Sequence, residues 1–258
     1  MSVLLMRALA AAVCLALAQP VMAQRRGGPP GPPPTARAAA VLDLAGNWVS
    51  VVSEDWRYRM VTPAKGDYQG VPMTPAAAKV ADGWDPATDQ AAGLQCKSYG
   101  AAMIMRVPGR LRVAWQDDQT LRIDTDAGTQ ARLLRFGPSP APSPERSWQG
   151  DSVATWEVPR AARGRGGAVE PVKNGSLKVV TTNLRAGYLR KNGVPHSETA
   201  TVTEYFSIAR LRSGPEILVV TTVVDDPQYL TQPFIVSSQF KKQADASGWE
   251  PTPCSSQW

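Results

Sequence analysis

From residue 42 onward, apolar residues alternate with polar ones over short stretches separated by Gly, Pro, Asn and Asp. No segment sustains a 3.6-residue period long enough for a large amphipathic helix, so the pattern predicts an all-β chain. The alternating stretches are 47–56, 102–107, 110–116, 121–125, 130–136, 152–158, 177–183, 201–209, 217–224 and 234–240. They amount to about nine strands, and the four between 102 and 136 read as a meander joined at Pro108-Gly109, Asp117-Asp118-Gln119 and Asp126-Ala127-Gly128. Two short helices after the first strand interrupt the pattern. Residues 74–81 open with Thr74 as N-cap and Pro75 in the first turn, and 85–92 repeat this with Asp85 and Pro86 and stop at Gly93. An open antiparallel meander of this length would leave two long apolar edges. Closure into an up-and-down antiparallel β-barrel removes both, and a barrel of eight or more strands has room for one small ligand. A two-sheet β-sandwich is the alternative.

Three segments follow from composition. Residues 1–23 carry one charge, Arg7, before the uncharged run 8–18 and the Val21-Met22-Ala23 site, as in a secretory signal peptide cleaved near Ala23. That run is too short to span a bilayer, which needs ~20 apolar residues, so no transmembrane segment is expected. An uncleaved anchor is the alternative. Residues 24–41 are Pro/Gly-rich and basic and read as a disordered tether, and 42–258 as one barrel domain. The expected location is periplasmic or secreted. Cleavage removes Cys14 and leaves Cys96 and Cys254, an even count in an oxidising compartment, for which one disulfide is the expectation and two free thiols the alternative.

The segment Asp43-Leu44-Ala45-Gly46-Asn47-Trp48 resembles the Gly-x-Trp signature of lipocalins and the wider calycin group. Residues 222–229 (TVVDDPQY) are loosely similar to their Thr-Asp-Tyr element, and the helical pair after the first strand is similar to the lid of fatty-acid-binding proteins. The whole resembles secreted bacterial proteins of uncharacterised function with lipocalin-like barrels. The resemblance implies that Trp48 packs across the closed end of a barrel and that the interior takes an apolar or amphipathic ligand. The insertions at 57–73 and 137–175 depart from these families.

Candidate ligand residues come from strand faces. Val202, Glu204, Phe206 and Ile208 share one face, on which Glu204 is a lone carboxylate. Burying it unpaired would cost several kcal/mol, and Arg57, Arg59 and Arg135 are the candidate partners. An enclosed arginine would also clamp a ligand carboxylate. The alternative turns Glu204 to solvent, with Thr203, Tyr205 and Ser207 inside. Trp115 and Trp156 are cavity wall or core. For catalysis, His196 is the sole imidazole and the first suspect for acid–base work, with Asp226, Glu204 or Tyr229 assisting.

Other chemistries recede. One histidine excludes a multi-histidine metal site, and no metal or other cofactor is expected. Gly150-Asp151-Ser152 lacks an esterase's Asp-x-x-His partner. Asp124-Thr-Asp126-Ala-Gly128 lacks the remaining calcium ligands and reads as a hairpin turn, and Gly164-Arg-Gly-Gly167 is not a phosphate loop. The formal net charge is +6, and Arg160, Arg163 and Arg165 form a basic loop suited to weak association with anionic envelope surfaces. No nucleic-acid partner is expected. The leading expectation is an exported protein, not an enzyme, that binds a small apolar or aromatic acid inside the barrel. A cofactor-free isomerase, lyase or hydratase using His196, and an envelope-associated structural or interaction protein, are the alternatives.

Overall fold

The computed structural model describes residues 33–138, 143–158, 175–210, 212 and 214–257. Residues 1–23, expected to be a signal peptide, residues 24–32 of the expected tether, and Arg160, Arg163 and Arg165 lie outside them. The compact unit is 34–258.

The chain opens with β1 (Gly46–Val51), the single turn α1 (Trp56–Arg59), α2 (Pro75–Asp82) and α3 (Pro86–Ala91). Two 3-10 turns follow, Gln95–Tyr99 and Ile104–Arg106. Then come β2 (Arg110–Asp117), β3 (Thr120–Thr125), β4 (Gln130–Phe136), β5 (Asp151–Glu157) and β6 (Ser176–Thr182). A two-residue pair, β7 (Gly187–Tyr188) and β8 (Pro195–His196), precedes β9 (Thr201–Arg210), β10 (Glu216–Asp225) and β11 (Phe234–Gln243). Nine strands close a barrel in the order β1-β11-β10-β9-β6-β5-β4-β3-β2. Thr74 accepts a hydrogen bond from the Ala77 N–H, and Asp85 one from the Ala87 N–H, so both short helices start where their caps predict.

Four details differ from the sequence expectation. The β4–β5 pair is parallel, Leu134 opposite Ser152; every other barrel pair is antiparallel. The chain turns back between Phe136 and Asp151, so that β5 runs in the same direction as β4, and a parallel pair needs such a return. Residues 102–107 form no strand; they are buried turns that pack Met103, Ile104 and Met105 under the barrel. Trp56 belongs to α1, not to the first strand. The fold also begins ahead of residue 42. The Trp156 Nε1–H donates to the Ala36 carbonyl at 2.8 Å, and the Ala36 N–H to Gln119 Oε1 at 3.2 Å, so residues 34–44 cap one end of the barrel.

Inside, Trp48, Leu111, Val113, Leu121, Ile123, Leu134, Leu177, Val179, Phe206, Leu218, Val220 and Phe240 form a continuous buried core. Strand alternation directs these side chains inward, and together they occupy the barrel's interior. A second apolar cluster, including Leu184, Leu189, Val194, Val224, Leu230 and Phe234, sits where the long connections gather at the other end. Cys96 and Cys254 are disulfide-bonded, with Cα atoms 5.1 Å apart. No helix among the described residues is long and apolar enough to cross a membrane.

Candidate functional site

Glu204 lies inside the barrel, and its partner is Arg132, both 0% exposed. Arg132 Nη1 donates to Glu204 Oε1 at 3.0 Å and Nη2 to Oε2 at 2.5 Å. The Thr181 hydroxyl accepts from Nη2 at 3.4 Å and lies 2.8 Å from Ser152 Oγ. A bidentate geometry with hydroxyl support is what makes a buried ion pair tolerable.

None of the arginines expected beside Glu204 takes that place. Arg135 is on the opposite face of β4 from Arg132, because alternation separates odd from even positions. Arg57 pairs with Asp67, and Arg59 with Glu54. Trp115 is half-buried at the capped end, where its ring centroid lies 5.6 Å from Phe136 and 6.5 Å from Trp156. Phe206 is ordinary barrel core.

Of the acid–base group His196, Asp226, Glu204 and Tyr229, Asp226 lies near enough for its charge to act on His196, and Glu204 is committed elsewhere. Glu204 is bound to Arg132. The Asp226 carboxylate accepts from the Ser197 N–H (2.6 Å), the Ser197 hydroxyl (2.8 Å) and the Gln228 N–H (3.1 Å), so it holds a turn together. His196 is buried, and Nδ1 faces the Ser197 carbonyl at 3.1 Å. A carbonyl only accepts, so Nδ1 carries the proton. Burial holds this imidazole below its usual value, although the Ser197 carbonyl and the Asp226 charge act the other way. The Tyr229 carbonyl accepts from the Thr74 N–H, and its phenol makes no hydrogen bond with the described residues.

What the structure does assemble is a set of arginines around α1. A cleft of about 530 Å³ beside the start of β11 is lined by Asp55, Arg57, Tyr58, Gln69, Gly70, Arg190 and the run Phe234-Ile235-Val236. Its position follows from topology: β1 ends and β11 begins at the same end of the barrel. Arg190 is 2% exposed, yet its Nε and Nη1 have no hydrogen-bond partner. The guanidinium lies 4.0 Å over the Tyr58 ring, which fixes its direction. Behind it, Arg106 and Arg59 are fully enclosed. Arg106 Nη2 donates to Asp55 Oδ2 at 3.0 Å, and Arg59 Nε to the Arg106 carbonyl at 2.8 Å, while Arg106 Nη1 and Arg59 Nη2 lack partners. Burial lowers the pKa of Arg59 and of Arg190, and the neighbouring Arg106 charge lowers both further. Among the described residues, Glu54, Asp55 and Asp67 are the carboxylates facing Arg57, Arg59, Arg106 and Arg190, which leaves the described cluster one positive charge in excess.

The cleft is positioned by three consecutive buried residues. Arg190 faces it. Lys191 Nζ donates to Tyr99 Oη at 2.7 Å and to the Ser255 carbonyl at 3.1 Å, against the tail that Cys254 anchors. Burial pushes the Lys191 amine down to about 7. Asn192 Nδ2 donates to the Ala64 and Asp67 carbonyls at 3.0 and 2.9 Å, holding the loop whose Asp67 pairs with Arg57.

Arg106, Arg132 and Arg190 were not among the residues the sequence singled out. Arg132 carried a signal, since it shares a face with Leu134 and Phe136. Arg190 lies in an aperiodic loop that gives none. Among the described residues no three His, Cys, Asp or Glu side chains are grouped to hold a metal ion. Comparison with family models, curated proteins and solved structures finds no match.

Proposed function

We propose that the protein is an exported binding protein for a small apolar or aromatic acid, and that the acid is held in the arginine-lined cleft instead of the barrel interior. The observation that carries this reading is Arg190: a buried guanidinium whose Nε and Nη1 are unused and which lines an open cleft. An unpartnered buried donor costs about 1–3 kcal/mol; Nε and Nη1 are closed off in the free protein, and a ligand oxygen would recover this cost once a small shift of the lining admits it. The apolar wall of Phe234, Ile235 and Val236 suits the hydrocarbon part. The Cys96–Cys254 disulfide and the leader-like residues 1–23 support an oxidising, extracytoplasmic location. Kinship with lipocalin-like proteins belongs to the same proposal; fully buried Trp48, its Nε1–H on the Leu44 carbonyl at 3.0 Å, sits beside the capped end.

Native mass spectrometry of protein purified gently from its own compartment tests the reading. The expected result is a retained carboxylic acid that is lost from the Arg190→Gln variant, while circular dichroism reports an unchanged fold. Reproducible absence of any adduct, together with no shift in melting temperature across a panel of aliphatic and aromatic acids, would overturn it.

A further inference from the structure

The same cleft carries a carboxylate. Asp55 lines it with a side chain 44% exposed; Oδ2 accepts from Arg106, and Oδ1 accepts no hydrogen bond from the described residues. Asp55 and Arg190 therefore share one cleft, each with unused capacity, and do not pair with each other. Two constraints keep them apart. Arg106 holds the Asp55 carboxylate, and the Asp55 backbone is left-handed, at φ 50° and ψ 28°, a region aspartate tolerates better than most residues. Arg190 is held over Tyr58.

A simple carboxylate bound to Arg190 offers no donor to the unused Asp55 Oδ1 in the same cleft. A ligand with an ammonium group beside its carboxylate would satisfy both groups. Arg57 does not compete for the anion, since it is paired with Asp67. What remains is the apolar face of Phe234, Ile235 and Val236, where Ile235 is 62% exposed although it is a large hydrophobic residue. A volume of about 530 Å³ accommodates an amino-acid-sized molecule.

We infer that the ligand is a zwitterion, an α-amino acid with an apolar side chain, its carboxylate on Arg190, its ammonium on Asp55 and its side chain against Ile235. The inference rests on the acid-binding reading above and narrows it. Asp55 is thus a specificity residue, which discriminates amino acids from plain acids of the same shape.

Isothermal titration with matched probes tests it. Leucine and phenylalanine are each compared with the acid lacking the amine (isocaproate, hydrocinnamate) and with the amine lacking the acid (isoamylamine, phenethylamine). The expected result is that at least one amino acid binds about tenfold or more tighter than either of its fragments, the scale of one charge-assisted contact. In Asp55→Asn, which keeps a residue suited to the left-handed backbone, the amino acid is expected to fall to the level of its deaminated acid. Binding of that acid should hold or tighten, which also reports an intact cleft. Acids binding as tightly as their amino acids in the native protein would overturn the zwitterion and leave acid binding standing. No binding of acids or amino acids would overturn both. Loss of every ligand in Asp55→Asn would return Asp55 to a structural role and overturn the assignment.

Discussion

Glu204 and Arg132 are charges that an aliphatic interior retains only because they hold each other. Removing one leaves the other buried and uncompensated, so Glu204→Gln is expected to cost about 3–5 kcal/mol in urea denaturation. Replacing both, Arg132→Met with Glu204→Leu, is expected to recover most of that loss. Glu204 was legible in the sequence as the odd member of the Val202–Phe206–Ile208 face. Its partner was obscured because Leu133 and Leu134 are adjacent in β4, so the apolar pattern fits either phase and drew attention to Arg135. His196 supplies a second test. Burial favours its neutral form in the folded state, so the folded pKa lies below the unfolded value of 6.5. Stability from this group is complete above 6.5 and falls as pH drops through it, because the unfolded chain takes up a proton that the folded one refuses. Asp226 and the Ser197 carbonyl face the ring and offset part of the effect. The native protein is expected to lose more stability between pH 7 and pH 5 than His196→Gln, measured by denaturant midpoints.

Elements whose start signals are local could be read directly: α2 and α3 begin at Thr74 and Asp85 because the caps are encoded beside them. The segment 102–107 could not, since a short apolar run fits a strand as well as a buried turn until its neighbours are known. The loop that carries Arg190 had no periodicity to read, and tertiary contact decides its shape. Gly193 shows how tightly: its φ is +82°, and a Cβ would run into the Trp84 side chain. Gly193→Ala is expected to destabilise by about 1–3 kcal/mol in thermal melts and to weaken ligand binding, because the same loop aims Arg190.

For the whole molecule, closure of β1 on β11 joins strands from opposite ends of the barrel sequence. The edge argument made that closure legible. The parallel β4–β5 step was not, because 137–150 reads simply as a long loop. The disulfide closes a sequence separation of 158 residues. Loop-closure entropy for such a span reaches about 5 kcal/mol at most, and measured effects are nearer 2–5. Reduction by a dithiol, or Cys96→Ser with Cys254→Ser, is expected to lower unfolding free energy within that range, read from denaturation with and without reductant. The non-local pairings should place folding in the millisecond-to-second regime.

Arg190, Lys191 and Asn192 lie side by side, and each is committed to a different neighbour: the cleft, the tail anchored by Cys254, and the loop holding Asp67. A change to any one disturbs the footing of the other two, so this stretch is a poor place to retune which guest is accepted. Ile235 borders the same opening without such ties, and variation in selectivity is therefore best sought there.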